Sequence, residues 1–328
     1  MYEKELAVAI DAVRKASHLC QHIRATLVTD ETITKQDRSP VTIADLAGQA
    51  VMSRLLHDAF PSDPLVAEED TGLLREDEHS ENCQRVVEQV RRILPTLDDA
   101  SILAAIDRGD YGGGAAGRFW TMDPIDGTKG YIRGDQYAVA LALIESGRVV
   151  LGVLGCPHLP QGRMQNVMQR GVLLAARRGG GAVSMTLDEA SEATPIQISA
   201  ADRPDQSILC ESVEGTHTAH GRSAQVGELL GVHLPPVRVD SQCKYAIVAR
   251  GEATTYLRLP ARTSTYQEKI WDHAAGAIIV EEAGGRVTDT HGAPLDFSLG
   301  HTLSNNVGIA ATNGHLHGPV VAALAATL

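Results

Sequence analysis

The chain has 328 residues, 43% hydrophobic and 21% charged, enough for one large domain or two smaller ones around a substantial core. Its formal charge of −12 excludes a general nucleic-acid binder, which needs a basic face. An anionic ligand would therefore have to meet local positive charge, from placed Lys or Arg side chains or from bound cations.

Five scattered cysteines without a CxxC pair argue for buried thiols in a reducing compartment, not for a disulfide framework or a zinc site. The charged start Met1-Tyr2-Glu3-Lys4-Glu5 lacks the apolar region of a signal peptide, and no apolar run reaches ~18 residues. These features predict a cytoplasmic chain that does not enter a membrane.

Leu6, Ile10, Val13, Ala16, Cys20 and Ile23 fall on one stripe of a first helix. After a turn at Ser39-Pro40, Thr42 is placed to cap a second helix reaching Phe60. Leu65-Val66-Ala67 reads as a short strand that delivers Glu68, Glu69 and Asp70. Residues 76–103 read as helical with a break at Pro95. Phe119 to Met122 is a strand entering Asp123-Pro124-Ile125-Asp126-Gly127-Thr128, and further strands are expected at 137–144, 149–154 and 171–176. Gly112 to Gly117 fits G-x-G-x-x-G but precedes a strand instead of a helix, so it reads as a loop near the active site and not as a dinucleotide fingerprint. Beyond a polar stretch at 187–195, a boundary is expected near residue 198. A strand at 207–210, helices at 221–230 and 241–249, a strand at 253–259 and a helix from Asp272 to Gly284-Gly285 follow.

The chemistry concentrates in a few places. Asp123 and Asp126 flank a stiffening proline, and a tight turn can aim both carboxylates into one concavity. Gly127 lets backbone approach a phosphate, with the N–H groups of Gly127 and Thr128 as donors. Hard oxygen ligands of this kind suit Mg²⁺. Each piece also has a plain structural reading. Asp-Pro-x-Asp-Gly is a common surface turn, Glu68-Glu69-Asp70 is acidic enough to be a solvated face, and Asp272 is placed to cap a helix. Ser241 and Lys244, one turn apart on the expected helix, and Arg258 in an apolar strand suit either a phosphate or a structural ion pair.

Taken together, the chain resembles the inositol monophosphatase superfamily of lithium-sensitive, Mg²⁺-dependent phosphatases. The resemblance rests on Ala67-Glu68-Glu69, Asp123 to Thr128, and Trp271-Asp272 followed by Gly284-Gly285. The stretches 37–45, 120–130 and 266–276 are most similar to its 3′(2′),5′-bisphosphate nucleotidase branch. That resemblance implies two or three Mg²⁺ ions, one on Glu68, Asp123 and the Ile125 carbonyl, a second on Asp123, Asp126 and Asp272. It implies that Thr128 and Asp45 orient and deprotonate a water, with Glu69 as a supporting acid. Ser241, Lys244 and Arg258 would hold a 5′-phosphate, and His217, or its neighbour His220, would pack on adenine. The expected fold is a layered α-β-α-β-α sandwich of the α/β class. An α+β part (residues 1–198) would carry most of the metal ligands, and an α/β part (residues 199–328) the nucleotide contacts and Asp272. The expected substrate is a small nucleotide, adenosine 3′,5′-bisphosphate, with 3′-phosphoadenosine 5′-phosphosulfate as a second one, which would place the chain in sulfur assimilation. Neither nucleic acid nor membrane is an expected partner, and the chain is expected to be a monomer. The alternatives are an inositol polyphosphate 1-phosphatase and a nucleotide-binding regulatory protein with little turnover.

Overall fold

The computed structural model describes residues 1–27, 32–34, 40–72, 81–162, 169–188, 191–213, 220–260 and 265–327. Helix α1 (Glu3–Leu27) has Glu3 and Glu5 in its first turn and Arg24 in its last, each complementing the helix dipole. Its stripe Ala9, Val13, Ala16, Cys20 and Ile23 is buried. Strands β1 (Thr32–Thr34) and β2 (Pro40–Thr42) pair as a small antiparallel ladder, and α2 (Ile43–Ala59) starts directly after it. Helices α1 and α2 cover one face of a seven-stranded sheet. That sheet runs in sequential order through β3 (Leu65–Ala67), β4 (Arg118–Asp126), β5 (Ala138–Glu145), β6 (Arg148–Pro160), β7 (Arg170–Arg177), β8 (Ala182–Thr186) and β9 (Thr194–Pro195). Only β3 and β4 pair in parallel. Helices α3 (Glu81–Arg91), α4 (Asp99–Asp107) and the short α5 (Thr128–Arg133) flank it.

A second sheet of five strands has the order β11-β10-β12-β14-β13, from β10 (Leu209–Glu211), β11 (Val237–Arg238), β12 (Thr255–Arg258), β13 (Arg286–Thr288) and β14 (Ile309–Thr312). Helices α7 (Cys243–Ala249) and α8 (Ala274–Glu282) lie between the two sheets. All of Cys243–Ala249 and Ala274–Val280 is buried, which is what a helix apolar on every side requires. One continuous core runs from Phe119, Ala142 and Leu154 through Tyr245 and Ile278 to Tyr256 and Ile309. Helices α6 (His220–Leu229) and α9 (His317–Ala326) close the outer face of the small sheet through Val226, Leu257, Ala310 and Val320. The result is the expected five-layer α-β-α-β-α sandwich. No helix among the described residues is long and apolar enough to cross a membrane.

Some local expectations differ from the structure. The helix expected over 76–103 is two, α3 and α4. The second is capped by Asp98, whose carboxylate accepts the Ser101 N–H at 2.8 Å, and it extends to Asp107; residues 73–80 are outside the described set. Ser241 is not on a helix. Its φ is +63° and α7 begins only at Cys243. Asp272 ends a 3₁₀ turn (Ile270–Asp272), and α8 begins at Ala274. The glycine run at 112–117 has two surroundings: Gly113 packs on Gly300, whose neighbour His301 stacks on Trp271, whereas Gly117 lies away from the acidic turn. It precedes Arg118, at the end of β4 opposite Asp126, and a strand of that length spans roughly 25–30 Å. Gly117 O instead accepts the Ser146 N–H of the β5–β6 hairpin.

Candidate active site

The acidic wall of the site is built by strand register. In the parallel β3–β4 ladder Ala67 lies opposite Met122, so the next residues, Glu68 and Asp123, leave adjacent strand ends together. In the antiparallel β4–β5 pair, Asp123 faces Ala140 and Asp126 faces Ala138. Three steps along β4 thus match two along β5, so the Pro124-Ile125 stretch is a bulge holding one extra residue. On a regular strand, residues three apart point to opposite faces; the extra residue returns them to one side. A proline fits here because a bulge can dispense with a ladder N–H. The Ile125 N–H closes the turn on Asp123 Oδ1 at 3.0 Å, and the Thr128 hydroxyl donates to Ile125 O at 3.3 Å. Helix α2 approaches this bulge through Gly48, where a Cβ would stand 3.4 Å from Pro124 Cβ. That contact carries the buried Asp45 toward Asp123.

The second wall meets the first without a gap. Gly127 has φ +91°, and a Cβ there would stand 2.9 Å from Ser241 Cβ, so only glycine permits the approach. The backbone N–H of Gln242 donates to Asp126 Oδ2. Arg133 pairs with the buried Asp240, and the Cys243 thiol donates to Tyr137 O at 3.2 Å. The Ser241 hydroxyl is turned back onto its own loop, donating to Asp240 O and accepting the Cys243 N–H. Lys244 is 3% exposed, with its ammonium 5.3 Å from the Tyr256 ring centre. Arg258 donates through Nε to Glu268 at 2.8 Å and reaches Asp272 Oδ2 at 3.5 Å.

The charges converge. Burial, followed by the charges of Glu68, Asp126, Asp272 and Asp45, pushes the Asp123 carboxyl far above its ordinary range. Burial and the Asp272 charge push Asp126 up to about 7, against the pull of Lys244 and Arg258. Asp272 is also raised by burial, although Arg258 opposes this. Burial pushes Lys244 down, with Asp126 resisting. So Asp45, Glu68, Asp123, Asp126 and Asp272 meet across the seam with Lys244 and Arg258 beside them. Thr128 and the Ile125 carbonyl lie on the same turn. Glu69 is 5% exposed, and its backbone is held by Gln49 on both sides: its N–H donates to Oε1 and its carbonyl accepts from Nε2. His217 lies outside the described residues, and so does the His220 side chain.

Residues 1–327 of the 328 match the sequence model of the inositol monophosphatase family. The chain belongs to that family. A 3′(2′),5′-bisphosphate nucleotidase of Schizosaccharomyces pombe is 42% identical, over 99% of this chain and 95% of its own length. A 3′(2′),5′-bisphosphate nucleotidase 1 of Arabidopsis thaliana is 46% identical, over 86% of this chain and 84% of its own. Among solved structures, an IMPase of Thermotoga maritima superposes with a TM-score of 0.66 at 22% identity, over 98% of this chain and 97% of its own. CysQ from Bacteroides thetaiotaomicron does so at 0.60 and 20%, over 95% and 98%. At those identities the structures speak for the fold.

The donor set in this inositol monophosphatase family member suits a hard cation. Glu68, Asp123, Asp126, Asp272 and the Ile125 carbonyl offer only oxygen, and mutually repelling carboxylates that are buried or half-buried are relieved by positive charge. Glu268, Asp272 and His273 also lie within ligating reach of one another. That group is already engaged, however, since the Arg258 guanidinium lies between Glu268 and Asp272 and His273 Nε2 is bonded to Glu268 at 3.1 Å.

Sequence reasoning missed the residues that act on other residues. Gln49 locks the Glu68-Glu69 segment to α2 and to Ile106 O. Glu268 anchors Arg258 and continues through His273 to Tyr245 OH, the last link 2.9 Å long. Arg258 and His273 hold the Glu268 carboxyl down to about 2, against a burial effect that alone would raise it. Gln242 bonds both walls. The only available signal was polarity inside otherwise apolar runs, which names a buried group but not its partner.

Proposed function

We propose that the chain is a Mg²⁺-dependent phosphatase that removes the 3′-phosphate of adenosine 3′,5′-bisphosphate, giving AMP and phosphate. 3′-Phosphoadenosine 5′-phosphosulfate is the second substrate. The observation that carries this reading is the pairing of an acid cluster centred on the buried Asp45 and Asp123 with the buried Lys244 and the half-buried Arg258 across one seam. The names of the 42–46% identical relatives support the choice of ester.

In this reading Glu68, Asp123 and the Ile125 carbonyl would hold one cation, and Asp123, Asp126 and Asp272 would hold a second. When bound, such a pair lowers the pKa of a water and stabilises the leaving oxygen. The chain's own groups do the rest. Asp45 accepts the proton of the attacking water, and the Thr128 hydroxyl aligns that water. The Gly127 and Thr128 N–H groups, at the start of α5 where intrahelical acceptors are lacking, receive the reacting phosphate. Lys244 and Arg258, with Ser241 once its hydroxyl turns outward, bind the 5′-phosphate that does not react. Energy from that remote anion is converted into positioning of the reacting one.

Phosphate release from adenosine 3′,5′-bisphosphate, with and without Mg²⁺, tests the proposal. Rapid release only with Mg²⁺ is expected. Metal-independent release, or release from an inositol polyphosphate at a higher kcat/KM, overturns it.

A further inference from the structure

Gln242 makes three hydrogen bonds that join parts of the site from both walls. Its backbone N–H donates to Asp126 Oδ2, at the end of the bulged strand of the large sheet. Its side-chain Nε2 donates to Trp271 O at 2.9 Å, in the 3₁₀ turn that ends at Asp272. Its Oε1 accepts the Gly276 N–H at 3.0 Å, in the first turn of α8. The side chain is 1% exposed, so both ends of the amide are used and no water competes.

The surroundings leave this amide little freedom. A Cβ at Gly276 would stand 2.3 Å from the Tyr245 ring, and one at Gly127 would stand 2.9 Å from Ser241. The α8 backbone at Gly276 therefore packs directly on the Tyr245 side chain of α7, and the loop carrying Gln242 abuts the turn carrying Asp126. Asp126 and Asp272 repel each other and come from different elements, the end of β4 and the 3₁₀ turn before α8. Gln242 bonds to Asp126 itself and to the turn that carries Asp272.

We infer that Gln242 is a positioning residue that sets the separation of Asp126 and Asp272, and thereby the affinity of the cation site they share. It touches neither substrate nor ion in this account. Its amide fixes the Trp271-Asp272 turn, and its backbone N–H fixes Asp126 to the same residue. Methionine at this position has a similar length and no hydrogen-bonding amide, so the Trp271 carbonyl and Gly276 N–H would lose their shared anchor. The two carboxylates would then relax apart under their own repulsion.

This inference rests on the metal reading above, and the experiment separates the two. Mg²⁺ binding is measured by titration calorimetry on substrate-free wild type, Gln242→Met and Gln242→Asn, the last retaining the amide but one methylene short. Val320→Ala, in the distant packing of α9, controls for lost stability. The expected result is a Mg²⁺ dissociation constant raised about ten-fold in both Gln242 variants and unchanged in Val320→Ala. At saturating Mg²⁺ the nucleotide KM should stay within about two-fold of wild type, because the cations that bind the 5′-phosphate are untouched. Wild-type Mg²⁺ affinity in whichever Gln242 variant folds overturns the positioning role, even where its Tm falls. Absence of Mg²⁺ binding by the wild type overturns the metal reading itself, and this inference with it.

Discussion

The acidic wall and the cationic wall of this site are held in place by different physics. Asp123 and Asp126 belong to one strand, and the hydrogen-bond register of β3, β4 and β5 with a single bulge aims them. Ser241, Lys244 and Arg258 come from a left-handed loop residue, a buried helix and a strand end. The Asp240 carbonyl holds the Ser241 hydroxyl, and buried side chains orient the two cations: Tyr256, Glu268 and, behind Glu268, His273 and Tyr245. A wall set by backbone register tolerates the loss of a carboxylate without moving. A wall set by side-chain bonds loses geometry when any link is cut.

The largest effect should come from the acidic wall. Asp123→Asn should lower kcat/KM at least ~1000-fold for every phosphate ester, since it removes the group common to both proposed cations. It should also raise the Tm of the metal-free protein. Asp123 is raised by burial and like charges, so its ionised form opposes folding at neutral pH. For a chain of this length, relief of about 1 kcal/mol corresponds to roughly 1–2 °C. Calorimetry showing a lowered Tm would mean that the carboxylate is a structural anchor.

Cutting the cationic wall one step behind the ligand should cost less but act more selectively. Glu268→Gln leaves Arg258 without its 2.8 Å partner, and a loss of roughly 10–100-fold in kcat/KM is expected for the bisphosphate alone. Kinetics with a substrate lacking the 5′-phosphate supply the comparison, and a matching loss there would contradict the assignment.

The smallest effect lies outside both walls. His317 Nε2–H faces Thr288 Oγ1, whose own proton goes to Asp289 O, so Nδ1 receives the Thr312 hydroxyl. Burial, with Arg286 nearby, pushes this imidazole down to about 4. The fold therefore prefers it neutral. Its contribution is complete above the unfolded value near 6.5 and is lost as pH falls from about 6.5 to 4, amounting to at most ~3 kcal/mol. His317→Gln should flatten urea-derived stability over that interval while leaving activity at pH 7.5 unchanged. An equally steep fall in the variant would assign the acid sensitivity elsewhere.

The same contrast explains what could be read from the sequence. Asp123 to Thr128 is contiguous, and a strand followed by Pro and Gly announces its own geometry, so the acidic wall was legible. The buried stripe of α1 and the apolar α8 were legible through periodicity and composition. The helix placement of Ser241 failed because spacing cannot show a left-handed residue that a glycine 114 positions upstream makes room for (Gly127 against Ser241). Gln49, Gln242 and Glu268 carried no local signature, because each acts through partners brought close only by the fold. The glycine run at 112–117 fitted a pattern, but the strand β4 follows it where a dinucleotide fingerprint needs a helix.

The central claim is that one wall handles the reacting phosphate and the other the phosphate that does not react. Lys244→Ala tests it most directly, with kcat/KM measured in one preparation for adenosine 3′,5′-bisphosphate and for adenosine 3′-monophosphate, which lacks the 5′-phosphate. The account predicts a loss of roughly ten-fold or more for the bisphosphate, about the worth of one charge-assisted hydrogen bond, and a change under about two-fold for the monophosphate. Equal losses on both substrates would contradict it and make Lys244 a support for the acidic wall.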